Sequence, residues 1–200
     1  HYAKSCVDIE YEYPWGMGEL EGVANRTDYD LKKHAEHSGA KMQYFDPTAQ
    51  KKYTPYVIEP AAGATRGVLV YLLDAYHEET VEGAKGTETR VVMRFHPQLA
   101  PIKVAVLPLV KRDGMPEKAR ELVNAFFKRG INASLDVQHA IGRRYRRHDE
   151  IGTPWCLTID GQTMEDNTLT IRDRDTMMQK RIPAQEAIEE IERLLRESLE

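Results

Sequence analysis

The sequence predicts two successive parts: a strand-rich first half, then an α/β half whose mixed sheet carries helices on its faces. Two observations carry the second part. From Lys103 onward the hydrophobic pattern switches between strand and helix periods in the order β-α-β-α-β-β-α. Its first run, KVAVLPLV (103–110), is almost continuously apolar, as expected of a strand covered on both faces. A third observation sets the boundary. The dipeptides His96-Pro97 and Ala100-Pro101 punctuate the chain, and we divide it into 1–98 and 99–200.

The elements follow in order. Val7, Ile9, Tyr11 and Tyr13 alternate with polar residues, which predicts a half-buried strand. A second short strand is expected through Glu19–Ala24, with Glu19 and Glu21 on one face. Thr27 or Asp28 then caps a helix over 29–37. Residues 53–59 read as a strand stopped by Pro60, and 66–79 as a helix apolar nearly all round, hence buried. Residues 80–90 are polar and glycine-containing, the composition of a surface insertion, and a short strand covers 91–95. Beyond Lys103 the spacing of Ala119, Leu122, Val123, Phe126 and Phe127 gives a helix, with Gly130 at its C-terminal cap. Strands at 133–137 and 155–159 flank a polar helix at 139–150. DGQTMEDN forms a turn, Leu169 and Ile171 lie on a strand, and Pro183 opens the last helix.

Composition limits the function classes. An apolar fraction of 41% supports a packed core, and a net charge of −4 supplies no global attraction for nucleic acid, so any RNA contact must come from a local patch. Cys6 and Cys156 belong to no CxxC pair, which suits a reducing compartment and argues against disulfides or a zinc site. No apolar run approaches the roughly 20 residues of a membrane span. The chain opens on His1 in mid-pattern and is expected to be a piece of a longer one.

Three stretches could carry chemistry. In VIEPAAGATRG (57–67) a strand ends in Glu59, a small-residue turn follows, and Arg66 falls in the first turn of a helix. Free N–H groups and the helix dipole favour an anion there, Ala61, Ala62 and Gly63 permit close approach, Arg66 offers a fork to phosphate, and Glu59 could hold Mg²⁺. The same residues also read as a plain strand-turn-helix with a surface arginine. In GELEGVANRTDYDL (18–31) Glu19 and Glu21 either meet a ligand, a metal or arginines, or are solvated acids on an edge strand, while Arg26, Asp28 and Asp30 suit a structural ion-pair cluster. In IGRRYRRHDE (141–150), Arg143, Arg144, Arg146 and Arg147 with Tyr145 read equally as an RNA-facing surface or as a solvated helix face. His34 and His37 have no further ligands to make a metal site.

Taken together, GELEGVANRTDYDLKKH, YTPYVIEPAAGATRG, LAPIKVAVLPLVK, IGRRYRRHDEIGTPWCLTID and TIRDRDTMMQKR resemble bacterial-type dimeric glycyl-tRNA synthetases along essentially the whole chain. The resemblance implies an α+β class II catalytic core with an antiparallel sheet, here partial, followed by an α/β anticodon-binding domain. EPAAGATR is similar to the third class II motif. By that likeness Gly63, Ala64, Thr65 and Arg66, with Glu19 and Leu20, contact ATP. Glu59, Pro60, Ala61, Ala62 and Gly63 line the glycine pocket, and Glu59 also holds Mg²⁺. The implied reaction joins glycine to ATP as glycyl-adenylate and then passes glycine to tRNA(Gly), in a cytoplasmic homodimer with no membrane partner. Two departures stand out: Ala61 replaces a common serine, and motifs 1 and 2 are absent, so these 200 residues alone are expected to be inactive. The alternatives are a non-catalytic synthetase-like nucleic-acid-binding accessory protein, or a class II synthetase for threonine, proline or histidine.

Overall fold

In the computed structural model, residues 3–83 and 86–199 are described. The chain divides into two compact units, His1–Tyr71 and Leu72–Glu200.

In the first unit β1 (Ser5–Tyr13) and β2 (Gly16–Asn25) form an antiparallel hairpin, and β5 (Ile58–Ala62) adds to the far side of β2, giving the order β1-β2-β5. α1 (Tyr29–Ser38) lies between them in sequence and closes on Gly39, whose φ of 69° lets its N–H reach the Ala35 carbonyl at 3.0 Å. β3 (Tyr44–Asp46) and β4 (Lys51–Tyr53) make a small hairpin. Its turn is organised by the Asp46 carboxylate, which accepts from the N–H groups of Thr48 and Ala49. α2 (Ala64–Ala75) follows β5 after a single residue, Gly63.

Two expectations fail here. Pro60 does not stop a strand; it lies inside β5, opposite Val23, because β5 is an edge strand whose outward positions need no N–H donor. The second concerns burial. The helix is shorter than the expected 66–79, and only Ala75 is buried on it; Val68 and Tyr71 are 60% and 57% exposed. Val7 and Ile9 on β1 are exposed as well. These apolar faces have no covering element among the described residues of the unit. Tyr13 is the exception, buried between the Trp15 ring stacked at 4.9 Å and the Tyr11 ring edge-on at 5.0 Å.

The second unit opens with β6 (Tyr76–Gly83) paired antiparallel to β7 (Gly86–Met93), so the described residues of the stretch read as a surface insertion, 80–83 and 86–90, are strand. Its main sheet has the order β12-β11-β10-β8-β9. β8 (Val104–Pro108) runs parallel to both β9 (Ala133–Leu135) and β10 (Trp155–Ile159), while β11 (Thr168–Asp173) and β12 (Gln179–Pro183) are antiparallel, which makes the sheet mixed as predicted. α3 (Met115–Lys128) and α6 (Ala187–Glu197) place Ala119, Val123, Phe126, Ala187 and Ile191 against Val104, Val106, Leu157, Leu169 and Ile171 in one core. α4 (Ile141–Glu150) carries Ile141 and Tyr145 against the smaller cluster of Ala105, Leu107 and Cys156. Burial among these apolar groups pushes the Cys156 thiol up to about 12, so it stays protonated.

Three local readings are corrected. DGQTMEDN holds a short helix, α5 (Gly161–Asp166), because Asp160 and Thr163 form a capping box. β12 escaped the pattern because its first three residues, Gln179, Lys180 and Arg181, are polar and exposed, as befits an edge strand. Pro183 closes β12, and a 3₁₀ turn (Ala184–Glu186) then leads into α6.

Gly152, after α4, has a φ of +79°, and a Cβ there would lie 2.5 Å from the Phe95 ring and 2.9 Å from the Met93 carbonyl. Gly152→Ala is therefore expected to destabilise the second unit by about 2–4 kcal/mol, adding backbone strain to overpacking. Urea unfolding of wild type and variant, compared at equal m-value, checks this.

Candidate functional site

β2 and β5 bring the glutamates and the small-residue turn together. The register sets Glu21 opposite Ala62, Gly22 opposite Ala61, Val23 opposite Pro60 and Ala24 opposite Glu59. On its other side β2 pairs with β1, and there the register slips: Ile9 faces Glu21, but Glu10 faces Glu19, leaving Leu20 as the extra residue of a bulge. Glu19 therefore shares a face with Asp8, Glu10 and Gly22, and Glu21 points to the opposite face with Ile9. The expectation that Glu19 and Glu21 share a face is thus corrected by one inserted residue. A Cβ on Gly22 would stand 3.6 Å from Asp8 Oδ1 and 3.8 Å from Glu19 Oε1, which places these two carboxylates beside the small-residue centre of the sheet.

At the end of β5 the chain passes through Gly63 into α2, whose first hydrogen bond runs from the Gly67 N–H to the Gly63 carbonyl at 2.8 Å. The N–H groups of Ala64, Thr65 and Arg66 precede that bond and have no helical acceptor, so the helix start presents donors and the positive end of its dipole. From this first turn Arg66 reaches back to β2, its Nη1 donating to the Glu19 carbonyl at 2.6 Å. The predicted residues Glu19, Gly63 and Arg66 thus converge at one end of the sheet.

Glu59 is held from a direction the sequence did not reveal. Arg26 Nη1 donates to Glu59 Oε2 at 3.0 Å, while its Nε and Nη2 grip Asp30 at 2.5 and 2.8 Å. The hydrogen bonds to Asp30 hold the Arg26 guanidinium strongly charged, and the same contact pulls the Asp30 carboxyl below its usual range. The Arg26–Asp30 pair fits the cluster expected from spacing, and Asp28 pairs instead with Lys32 at 2.7 Å. The Glu59 contact, 33 residues away in sequence, had no local signal. The alternation of Asp8, Glu10 and Glu12 along β1 did offer one for the neighbouring acids.

In the second unit, the arginine-rich helix α4 is largely turned inward. Arg144 is 2% exposed and donates to the carbonyls of Pro108, Asp136 and Leu109. Arg147 binds the Asp136 carboxylate at 2.9 Å, and Arg146 binds Glu88 on β7. The Tyr145 hydroxyl meets Thr158 Oγ1 at 2.6 Å, and the Arg172 guanidinium lies 4.9 Å from its ring centroid, so this ring is not presented for stacking on a base. The amphipathic spacing explains the difference: every third or fourth residue of the helix faces the sheet. Of the four arginines, Arg143 is the exposed one.

His148 on the same helix is 2% exposed, with Nδ1 3.1 Å from Thr153 Oγ1 and Nε2 3.8 Å from Asp136 Oδ2. Burial, outweighing the nearby Asp136, lowers its pKa below the ordinary 6.5. The folded state therefore disfavours the imidazolium. The resulting destabilisation is absent well above pH 6.5 and grows as pH falls from the unfolded value toward the folded one, at most about 1.4 kcal/mol per pH unit. The stability gap between wild type and His148→Gln should accordingly narrow, or reverse, from pH 7.5 to pH 5.5, as read from thermal midpoints.

Among the described residues, no group of three or more His, Cys, Asp or Glu side chains is arranged to hold a metal ion by itself, and no helix is long and apolar enough to cross a membrane.

Comparison with known proteins bears on both units. Residues 103–194 match the family described as the anticodon binding domain. The glycine–tRNA ligase of Clostridium acetobutylicum is 52% identical over 198 residues, 99% of this chain and 41% of that protein. That of Treponema denticola is 53% identical over 96% of this chain and 43% of its own length, and that of Thermobifida fusca 52% identical over 100% and 43%. Among solved structures, a prolyl-tRNA synthetase from Cryptosporidium parvum, determined with L-proline and AMP, superposes with a TM-score of 0.65 at 18% identity, over 98% of this chain and 38% of that one. That likeness shows the class II synthetase fold. The chain spans about two-fifths of the length of the curated relatives it matches. Over that span, with half its residues identical along nearly its whole length, it belongs to the glycine–tRNA ligase family.

Proposed function

We propose that this chain is the C-terminal part of a glycine–tRNA ligase, with 1–98 completing the catalytic domain and 99–200 receiving the anticodon of tRNA(Gly). The observation that supports the reading most is Arg66 anchored on the Glu19 carbonyl beside an open helix start, in a chain half identical to glycine–tRNA ligases.

Each residue has a task that follows from its chemistry. The N–H groups of Ala64, Thr65 and Arg66 face phosphate oxygens of ATP, with Gly63 admitting the ligand close to the backbone and Glu19 and Leu20 bordering it from β2. The Arg66 guanidinium exchanges its carbonyl for the γ-phosphate and offsets the charge that builds on departing pyrophosphate. Glu59, Pro60, Ala61, Ala62 and Gly63 line the glycine pocket, where the Glu59 carboxylate, oriented by Arg26, receives the substrate ammonium. Any side chain on the substrate would meet the wall of the pocket, which excludes larger amino acids. Ala61 keeps that pocket small without the hydroxyl common in relatives. Glu59 is the carboxylate of this turn that would hold Mg²⁺, which would then take its free oxygen in place of the substrate ammonium; with hard oxygen ligands and substrate phosphates as its usual shell, the ion would supply neutralisation of phosphate charge. The parent protein acts as a cytoplasmic homodimer. Arg143 is the α4 arginine available to RNA phosphates. The 200 residues alone, without motifs 1 and 2, do not aminoacylate.

The test is ATP–pyrophosphate exchange by the full-length protein with a panel of amino acids. Exchange with glycine, and none with alanine, serine, threonine, proline or histidine, is the expected result. Exchange with none of them would return the chain to the class of nucleic-acid-binding accessory proteins.

A further inference from the structure

The arginine that orients Glu59 also grips Asp30, and the two contacts are unequal. Arg26 lies just past the end of β2, where its N–H donates to the Val57 carbonyl at 2.9 Å and the Val57 N–H donates to the Thr27 carbonyl at 2.8 Å. The backbone beneath its side chain is thereby fixed to the chain entering β5, the strand that carries Glu59. Ala24 pairs with Glu59, and Arg26, two residues on, continues the same face. Asp30 approaches from the first turn of α1, after Thr27, with a φ of 56°, has turned the chain out of the sheet. Asp30 takes the fork of the guanidinium, Nε at 2.5 Å and Nη2 at 2.8 Å, which leaves Nη1 to donate to Glu59 Oε2 at 3.0 Å. Glu59 Oε1 meets no hydrogen-bond donor among the described residues.

The asymmetry matters through charge. Asp30 offsets Arg26 by a two-point, charge-assisted contact, so the three groups together keep one negative charge, and it resides on Glu59. Deprived of Asp30, the same guanidinium would turn its planar fork onto Glu59, engage both carboxylate oxygens and cancel the charge that attracts a cation. The exposures fit this division of labour. The side chains of Arg26 and Asp30 are 22% and 24% exposed, whereas that of Glu59 is 46% exposed, so the pair backs a carboxylate that faces outward. Asp28, the other acid at the start of α1, is engaged by Lys32 at 2.7 Å, which leaves Asp30 as the acid of this turn that offsets Arg26.

From this arrangement we infer that Asp30 is a positioning residue for recognition of the amino acid: by holding the fork of Arg26 it keeps the outer oxygen and the negative charge of Glu59 for the ammonium group of the substrate. The inference rests on the ligase reading proposed above, and it adds to that reading a residue that acts only through Arg26. Its observations are the two-to-one division of the Arg26 hydrogen bonds and the open Oε1 of Glu59. All the groups involved lie in the first unit.

Asp30→Asn removes the charge while keeping the shape and one acceptor. In the full-length protein it is expected to raise the KM for glycine in ATP–pyrophosphate exchange about tenfold. The kcat and the KM for ATP should stay within about twofold of wild type, since the loss concerns one substrate's binding. Asp30→Glu, which keeps the charge, should hold the KM for glycine within about threefold of wild type. Made on top of Arg26→Met, Asp30→Asn should shift that KM by less than about threefold, because the fork it releases is gone. An unchanged KM for glycine, or a fall in kcat alone in step with a lowered thermal midpoint, would assign Asp30 to the folding of α1 and overturn the inference. Equal penalties with and without Arg26 would overturn it as well, since Asp30 would then act by another route. A raised Mg²⁺ requirement with the KM for glycine unmoved would put an ion in place of the ammonium on Glu59, with the same consequence. Absence of glycine-dependent exchange from wild type is separable from all of these; it would overturn the ligase reading itself, and this inference with it.

Discussion

Replacing Arg66 by alanine in the full-length protein is expected to lower glycine-dependent ATP–pyrophosphate exchange about 100- to 1000-fold, the usual cost of removing one preorganised donor from developing charge. Arg66 is exposed, and its hydrogen bond to β2 is to a main-chain carbonyl. The variant should therefore fold with an unchanged thermal midpoint, so the loss reports chemistry. Lysine should restore only part of the activity, because an ammonium supplies the charge without the planar fork. If the effect lay wholly in KM for ATP, Arg66 would contribute binding shared by ground and transition states. If exchange were unaffected, the α2 terminus would not be the phosphate site.

Asp149→Ala is expected to be the most damaging change to the second unit, costing about 3–5 kcal/mol, because it strips the carboxylate from two arginines that water cannot reach. Arg90 and Arg172 are 0% and 4% exposed and both donate directly to Asp149. Against a stability of about 5–15 kcal/mol for an ordinary domain, that loss is close to abolishing the fold at physiological temperature. Asp149→Asn keeps the shape and one acceptor and should cost less than alanine. Denaturant unfolding of both variants measures the order. A cost under about 1 kcal/mol for alanine would mean that water or Glu79 takes over the arginines, and that the network is looser than its geometry.

Much of this architecture was legible because it is local. Val104–Leu107 are fully buried, and a continuous apolar run is what such a strand requires. The β5–Gly63–α2 turn was readable for the same reason, since strand, small residues and arginine follow one another directly. What escaped depends on distant partners. The stretch 80–90 reads as a polar insertion until Arg90 is seen to meet Asp149, 59 residues away. The α4 arginines read equally as an RNA surface or a solvated face because charge runs carry no record of which residues turn inward, and Arg144 does. The bulge at Leu20 is invisible to alternation, yet that one residue decides which glutamate faces the site. The apolar character of α2 predicted burial, whereas its exposure reflects the absence of a covering element among the described residues.

The most direct test of the central claim is charging of tRNA(Gly) transcript with glycine by the full-length protein, with the 200-residue chain assayed alongside. The account predicts glycyl-tRNA from the full-length protein, sharply reduced when the anticodon is changed, and none from the 200 residues alone, which should nevertheless retain measurable tRNA binding. A full-length protein that is folded and binds tRNA(Gly) but forms no glycyl-tRNA would contradict it.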